Sequence, residues 1–305
     1  MANSFLVLTS NLASDLDIVG DRWVLLILRD IFLGRHRFET LRAQTGASRA
    51  TLTRRLDTLI QADIIYKAPY SPSGNRHEYR LTEKGMGLHH ASMLAWHWER
   101  TWANQEESPL PSKLKHQTCN QELVPKTLCK HCGEELVLDD VTWPQANASI
   151  TEQIHTIHSM HKQRRVRVSV GDGKDMSLSN ISDLIGDRWT LLLLISAYLG
   201  IKKYDGFVHQ LNIASNILSH RLKLLEEKNI FERRVYQQLP TRYEYLLTEK
   251  GKSLYPLIMV LRQWAMKYLP IEESLIHKPC GKPLLLTVLC ETCHEETSSN
   301  EVSYA

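Results

Sequence analysis

The chain has 305 residues, 43% hydrophobic and 23% charged, which suits about two globular domains with proper cores. Its net charge of +3 is too small to signal a nucleic-acid partner by itself, so any basic surface must be local. The longest apolar run, 189–199, contains Thr190 and Ser196 and is too short to span a membrane, and no basic-then-apolar leader opens the chain. A cytoplasmic, nucleoid-associated protein is expected, in which paired cysteines read as metal ligands rather than disulfides.

The stretch Ile18-Val-Gly-Asp-Arg-Trp-Val-Leu-Leu-Ile-Leu28 returns as Leu184-Ile-Gly-Asp-Arg-Trp-Thr-Leu-Leu-Leu-Leu194. Asp21 and Asp187 are 166 positions apart, as are Thr82-Glu-Lys-Gly85 and Thr248-Glu-Lys-Gly251, and no gap intervenes. The chain is therefore an internal duplication. In each copy Gly, Asp and Arg open a helix, with Trp23 and Trp189 expected as core anchors. A short second helix at Phe38-Glu-Thr-Leu41 should end near Gly46.

A third helix follows in Thr45–Leu56 and, in altered form, in Leu211–Leu222. Leu52, Leu56, Leu59 and Ile60 fall on one helical face, and Ser48 is a plausible N-cap. The opposite face offers Ser48, Arg49, Thr53 and Arg54; the second copy offers Ser215, Asn216, Ser219 and His220. Such a face suits the reading of base edges in a major groove, although an ordinary amphipathic surface helix would look the same in isolation. Next come β-prone runs at 64–67 and 77–81, then 231–235 and 243–247, each pair joined through turn residues. Helix-turn-helix followed by a hairpin is a winged helix, and Arg76 and Arg242 lie on the wings. Thr82 and Thr248 read as N-caps of long helices over 83–103 and 249–269, the second bent by Pro256. Their surplus apolar surface, with Trp98 aligned to Trp264, suggests that these helices and the first ones pair the two units, with ordinary intradomain core as the competing reading.

Asp-Arg-Trp before an apolar helix, Arg37-Phe-Glu-Thr-Leu41, Arg55-Leu56 and Arg221-Leu222 together resemble the HxlR-type winged-helix regulators, relatives of the MarR group. So do Arg76-His-Glu-Tyr-Arg-Leu-Thr82, Arg242-Tyr-Glu-Tyr-Leu-Leu-Thr248 and the Trp-bearing last helix. The resemblance covers about 15–103 and 181–269 and implies a DNA-binding bacterial regulator, commonly a homodimer of single units and more often a repressor. This chain departs by carrying two units. It also has no cysteine before Cys119, whereas many members are thought to sense through an N-terminal one.

All six cysteines fall in two clusters of one spacing, His116-x2-Cys119-x9-Cys129-x2-Cys132 and His277-x2-Cys280-x9-Cys290-x2-Cys293. Three thiolates and an imidazole form a tetrahedral Zn²⁺ set. Each cluster is expected to fold as a zinc ribbon-like lobe on its own winged helix, giving two structural zinc ions per chain, and similar tails in some HxlR-like regulators support this by resemblance. His131 and His294 are neighbours able to replace the fourth ligand. Four protein ligands leave no place for an activated water, and the His-x-Glu of zinc deaminases is absent. Between the halves, Ile150, Ile154 and Ile157 suggest a short helix carrying His155, His158 and His161, and a basic run follows at Lys162, Arg164, Arg165 and Arg167.

The expected fold is mainly α with small β (α+β): two tandem winged helix-turn-helix domains, each followed by a small lobe. The boundaries are 1–108 and 109–141 for the first winged helix and lobe, 142–176 for a linker, and 177–270 and 271–305 for the second pair. No dinucleotide fingerprint, P-loop, His-Glu-x-x-His or Gly-x-Ser-x-Gly is present, so an enzyme is not expected. The expected partner is double-stranded DNA, with further homodimerisation and any small-molecule effector left open. The alternatives are a zinc- or redox-responsive sensor and a winged-helix/zinc-ribbon protein-interaction module.

Overall fold

The computed structural model describes residues 18–70, 76–102, 113–143, 179–268 and 275–304. The expected helix at 150–157, its histidines, the basic run and most of the linker lie outside the described residues. In the first unit, α1 (Arg22–Phe32) starts at Asp21, whose carboxylate accepts from the backbone N–H groups of Trp23 and Val24. One side chain thus satisfies two of the donors a helix start leaves free. Helix α2 (Phe38–Thr45) ends at Gly46, whose φ of 69° is the left-handed cap that glycine adopts without a Cβ clash. Helix α3 (Arg49–Gln61) is capped by Ser48, whose Oγ accepts from the Thr51 N–H at 3.1 Å, and buries Leu52, Leu56 and Leu59. Strands β1 (Ile65–Pro69) and β2 (His77–Leu81) pair antiparallel with Ile65 opposite Leu81 and make the wing.

The two long helices expected after the wings are each broken. In the first unit α4 (Glu83–Met86) is followed by α5 (His89–Trp102). The interruption at Gly87-Leu88 lets α4 cap on Thr82 while α5 turns its own face to the core. Beyond α5 the first tail holds β3 (Leu114–His116), β4 (Gln121–Glu122), β5 (Pro125–Cys129) and β6 (Val141–Thr142).

The second unit repeats the order. It has α6 (Ser179–Ile185), α7 (Arg188–Tyr198), α8 (Tyr204–Leu211), α9 (Ser215–Glu227), β7 (Phe231–Gln237), β8 (Arg242–Leu247), α10 (Glu249–Lys252) and α11 (Tyr255–Met266). Pro256 does not bend a helix as expected: it occupies the first turn of α11, where its missing N–H has no partner to lose. Trp23 and Trp189 pack against the core but are only half-buried; Val24, Leu26 and Ile27 fill it instead, as do Leu192 and Leu193, the counterparts of Leu26 and Ile27.

The units exchange equivalent contacts. Trp98 Nε1 donates to Ser253 Oγ at 3.0 Å and to the Lys250 carbonyl at 3.4 Å, and Trp264 Nε1 donates to the Lys84 carbonyl at 2.9 Å. Lys84 and Lys250 are counterparts in the duplication, so each tryptophan holds the other unit's capping turn. Helices α5 and α11 pack on one another, and a Cβ on Gly186 would lie 2.0 Å from the Gly20 carbonyl oxygen. The repeated glycine of Gly-Asp-Arg-Trp thus marks a close backbone approach between units.

The tails depart most from expectation. The second tail supplies β9 (Ile276–His277), β10 (Lys282–Pro283), β11 (Leu286–Cys290) and β12 (Val302–Tyr304). Every sheet here except the local β3–β4 and β9–β10 pairings joins one tail to the other. Strand β5 pairs antiparallel with β11, β12 adds to β3, and β6 adds to β9. Thr127 faces Val288 at the middle of the β5–β11 ribbon, and these are counterparts 161 positions apart. The two separate lobes are therefore one interlocked module.

Candidate nucleic-acid interface and metal-ligand clusters

The exposed fronts of α3 and α9 carry all the side chains expected to face DNA: Ser48, Arg49, Thr53 and Arg54 on one, Ser215, Asn216, Ser219 and His220 on the other. Their backs are locked in the core by Leu52, Leu56 and Leu59 and by Leu218, Leu222 and Leu225. The fronts differ in how free they are. Arg49 already pairs with Glu39 at 2.5 Å and lies over the Phe38 ring, 5.1 Å from its centroid. Arg54 has no ion pair among the described residues and borders a shallow hollow with Ala50, Thr53, Asp57 and Gln61. In the second copy, Ser219 Oγ is 3.2 Å from the Tyr204 hydroxyl, which donates to the Ser215 carbonyl. His220 Nδ1 accepts from Arg221 Nη1 at 3.0 Å, which places the neutral ring's proton on Nε2. Helix α9 has Ala214 at its N-cap and lacks the side-chain cap that Ser48 gives α3. On the wings Arg76 and Arg242 are exposed, Arg242 lying 3.7 Å from Asp205.

A residue pair that sequence reading did not connect fixes these helices. Arg55 donates to Asp21 at 2.6 Å, and Arg221 donates to Asp187 through Nε and Nη2 at 2.8 and 2.6 Å. The N-cap of α1, and that of its counterpart α7, thus anchors the middle of the recognition helix. The signal lay in the joint recurrence of both residues at one offset.

The eight expected ligands gather into two clusters, but not those set by sequence order. One comprises His116, Cys119, Cys290 and Cys293; the other comprises Cys129, Cys132, His277 and Cys280. This corrects the expectation of one self-contained ligand set per lobe. The reason is strand β5. At about 3.3 Å per residue, its extended run carries the Cys129-x-x-Cys132 turn a strand's length from His116 and Cys119. Its antiparallel partner β11 runs back and sets Cys290 opposite Pro125, beside the first hairpin.

In each cluster the four ligand atoms lie within 4.8 Å of one another. His116 Nδ1 is 3.6 Å from Cys119 Sγ and 3.3 Å from Cys293 Sγ, and Cys119 and Cys290 are 4.0 Å apart at sulfur. In the other, His277 Nδ1 is 3.4 Å from both Cys132 and Cys280, and Cys129 and Cys280 are 4.0 Å apart. Zinc bonds of about 2.3 Å to sulfur and 2.0–2.1 Å to nitrogen give tetrahedral edges of about 3.5–3.8 Å, so the donor sets fit the ion. A sulfur separation of 4.0 Å is about twice a disulfide bond, and all six cysteines are free. His131 and His294 are exposed and stand outside both clusters.

Burial pushes the Cys129 thiol up, but backbone N–H groups of His131 and Cys132 and the neighbouring thiols reverse this and bring it below its ordinary value. Cys290 is lowered against the same burial by the N–H groups of Thr292 and Cys293. The first cysteine of each Cys-x-x-Cys turn therefore favours the thiolate, the form that binds metal, while the second, Cys132 or Cys293, is lowered by a backbone N–H but raised on balance by burial and the neighbouring thiols.

Two helix-turn-helix cores with paired wings and exposed recognition helices place the molecule in the winged-helix class. More narrowly, the chain belongs to the HxlR-like helix-turn-helix family, whose model matches residues 18–107 and 184–273. It is 42% identical over 127 residues to an HTH-type transcriptional regulator of Mycobacterium tuberculosis (strain ATCC 25618 / H37Rv), covering 42% of this chain and 80% of the relative. It is 36% identical over 87 residues to the HTH-type regulator YdeP of Bacillus subtilis (strain 168), covering 28% of this chain and 68% of that one. Among solved structures, the oxidised redox regulator HypR is 29% identical, with a TM-score of 0.29, over 31% of this chain and 98% of its own. Among the described residues, no helix is long and apolar enough to cross a membrane.

Proposed function

We propose that the chain is a sequence-specific DNA-binding transcriptional regulator, with its two winged helices acting as an internal pseudo-dimer on one operator. The observation that carries this reading is the reciprocal docking of the two units: Trp98 on the Lys250 turn and Trp264 on the Lys84 turn, with both recognition helices left exposed. A dimer of single units reads two half-sites through equivalent helices. Here the duplication supplies both from one chain. The regulator names of the relatives accord with this, and repression, by blocking polymerase access, is the sign the family resemblance implies.

In this reading Ser48, Arg49, Thr53 and Arg54 meet one half-site, Ser215, Asn216, Ser219 and His220 the other, and Arg76 and Arg242 reach the backbone from the wings. Two zinc ions per chain have a structural part: four protein ligands close each tetrahedron and leave no catalytic position. The double-stranded partner would be bound with half-sites a whole number of turns apart, at about 10–10.5 base pairs per turn.

Selection of bound sequences from a random duplex pool, followed by sedimentation of the complex, tests the reading. The expected result is a bipartite operator carrying one chain, with affinity falling steeply as salt rises. Four engaged half-sites under two chains would overturn the internal pseudo-dimer, and no enrichment of any sequence would overturn the regulator itself.

A further inference from the structure

Each ligand cluster takes half of its residues from each end of the chain. His116 and Cys119 from the first tail meet Cys290 and Cys293 from the second, and Cys129 and Cys132 meet His277 and Cys280. We infer that the two zinc ions are bridges between the halves of the molecule, a metal clasp that locks the tails together and through them the two winged helices. The inference rests on the zinc reading above and adds to it which residues share an ion, and what that ion fastens.

Four further observations point the same way. The strand pairings that flank the clusters are themselves between tails: β12 on β3, β6 on β9, and β5 on β11. Backbone bonds continue the exchange beyond the strands, from Gln117 to Glu301, Lys130 to Leu285, Lys278 to Asp140 and Glu291 to Val124. Charges do so as well, since Lys126 pairs with Glu291 at 2.9 Å and Lys130 with Glu296 at 3.4 Å. The clasp also touches a winged helix directly: His90 on α5 contacts the Thr297 carbonyl at 2.9 Å, and Gln263 on α11 bonds both backbone groups of Leu286.

The β5–β11 ribbon couples the two sites. Cys129 ends β5 in one cluster and Cys290 ends β11 in the other, so metal in either cluster pins the ribbon on which the second is built. Filling of the first site should therefore ease filling of the second.

Metal content of the full chain with cysteines replaced in pairs separates a shared from a self-contained arrangement. The wild type should carry two zinc ions, and Cys129→Ala or Cys280→Ala alone should leave one. The double variant Cys129→Ala with Cys280→Ala should still hold one, because both losses fall on one ion. Cys119→Ala with Cys129→Ala should hold none. Self-contained lobes require the reverse: none for the first double variant and one for the second, which would overturn the bridges while leaving zinc in place. Since the first double variant is expected to keep an ion, general misfolding cannot mimic the expected result. A wild type purified without zinc, and showing no tetrahedral thiolate spectrum on addition of Co²⁺, would overturn the metal reading and the clasp with it.

Discussion

Arg54 and Arg49 stand on the same helix front, yet their surroundings give them different capacities to specify a base. Arg49 must leave Glu39 and the Phe38 ring before its guanidinium can fork onto a guanine, whereas Arg54 has no such attachment among the described residues. Exposed ion pairs are worth about 0–1 kcal/mol and cation–π contacts a similar amount, so release of Arg49 offsets part of any gain. Arg54→Ala is therefore expected to cost about 1–3 kcal/mol of operator affinity, and Arg49→Ala less. Both losses should fall on one half-site, because Ser215 and His220 occupy the aligned positions of the other copy. Titrating each variant against operators scrambled in one half at a time gives the answer; an equal loss at both halves would remove the asymmetry.

At the scale of elements, the N-cap of α1 joins two helices through one carboxylate. Asp21 caps α1 with Oδ1 and takes Arg55 of α3 on Oδ2, while Asp187 caps α7 with Oδ1 and takes Arg221 on both oxygens. Asp21→Asn keeps a capping oxygen but loses the charge, so it should cost about 1 kcal/mol of stability, while Asp21→Ala loses both and should cost more. Chemical denaturation of the two variants orders them. The helices, wings and caps of the winged helices were legible because their causes are local: leucine spacing, Ser48, Thr82 and Gly46. The α4–α5 break was not, since Gly85 and Gly87 weaken a helix without having to end it, and the second copy breaks after Lys252 with Ser253 in place of a glycine; packing makes the choice. Gly85 and Gly251 show how: a Cβ on either would lie 2.1 or 2.4 Å from the carbonyl oxygen of Ile64 or Ile230, so the capping turn is pressed against the start of the wing. The ligand partition was hidden for a related reason. Sequence spacing identifies which side chains bind metal, but the strand pairing that sorts them runs between segments some 160 residues apart.

At the scale of the whole molecule, the junction of the units and the tail module sets how the chain responds to pH and to crowding at its centre. Burial, with a smaller repulsion from His90, lowers His89 on α5 to about 4, while a backbone contact with Ser298 of the second tail opposes this. The unfolded chain takes up this proton near pH 6.5 and the folded chain only near 4, so the unfolded state gains as pH falls between them. The stability associated with neutral His89 is complete above about pH 6.5 and declines toward about pH 4, by up to about 3 kcal/mol. Replacing it with Gln should flatten thermal stability across that window, and an unchanged pH profile would contradict the assignment. Gly186 tests the junction itself. Alanine there would press its Cβ against two rigid backbone groups, the Gly20 carbonyl of the first unit at 2.0 Å and the Ser182 carbonyl of its own unit at 2.3 Å. Gly186→Ala should therefore push the units apart, lower the thermal midpoint by several degrees and split one cooperative transition toward two. Operator affinity should fall for the complete bipartite site and change little for an isolated half-site, because the recognition helices are untouched. Equal losses on both DNA targets would instead mean that the substitution damages the second unit alone, and that reciprocal docking does not set the distance between the two recognition helices.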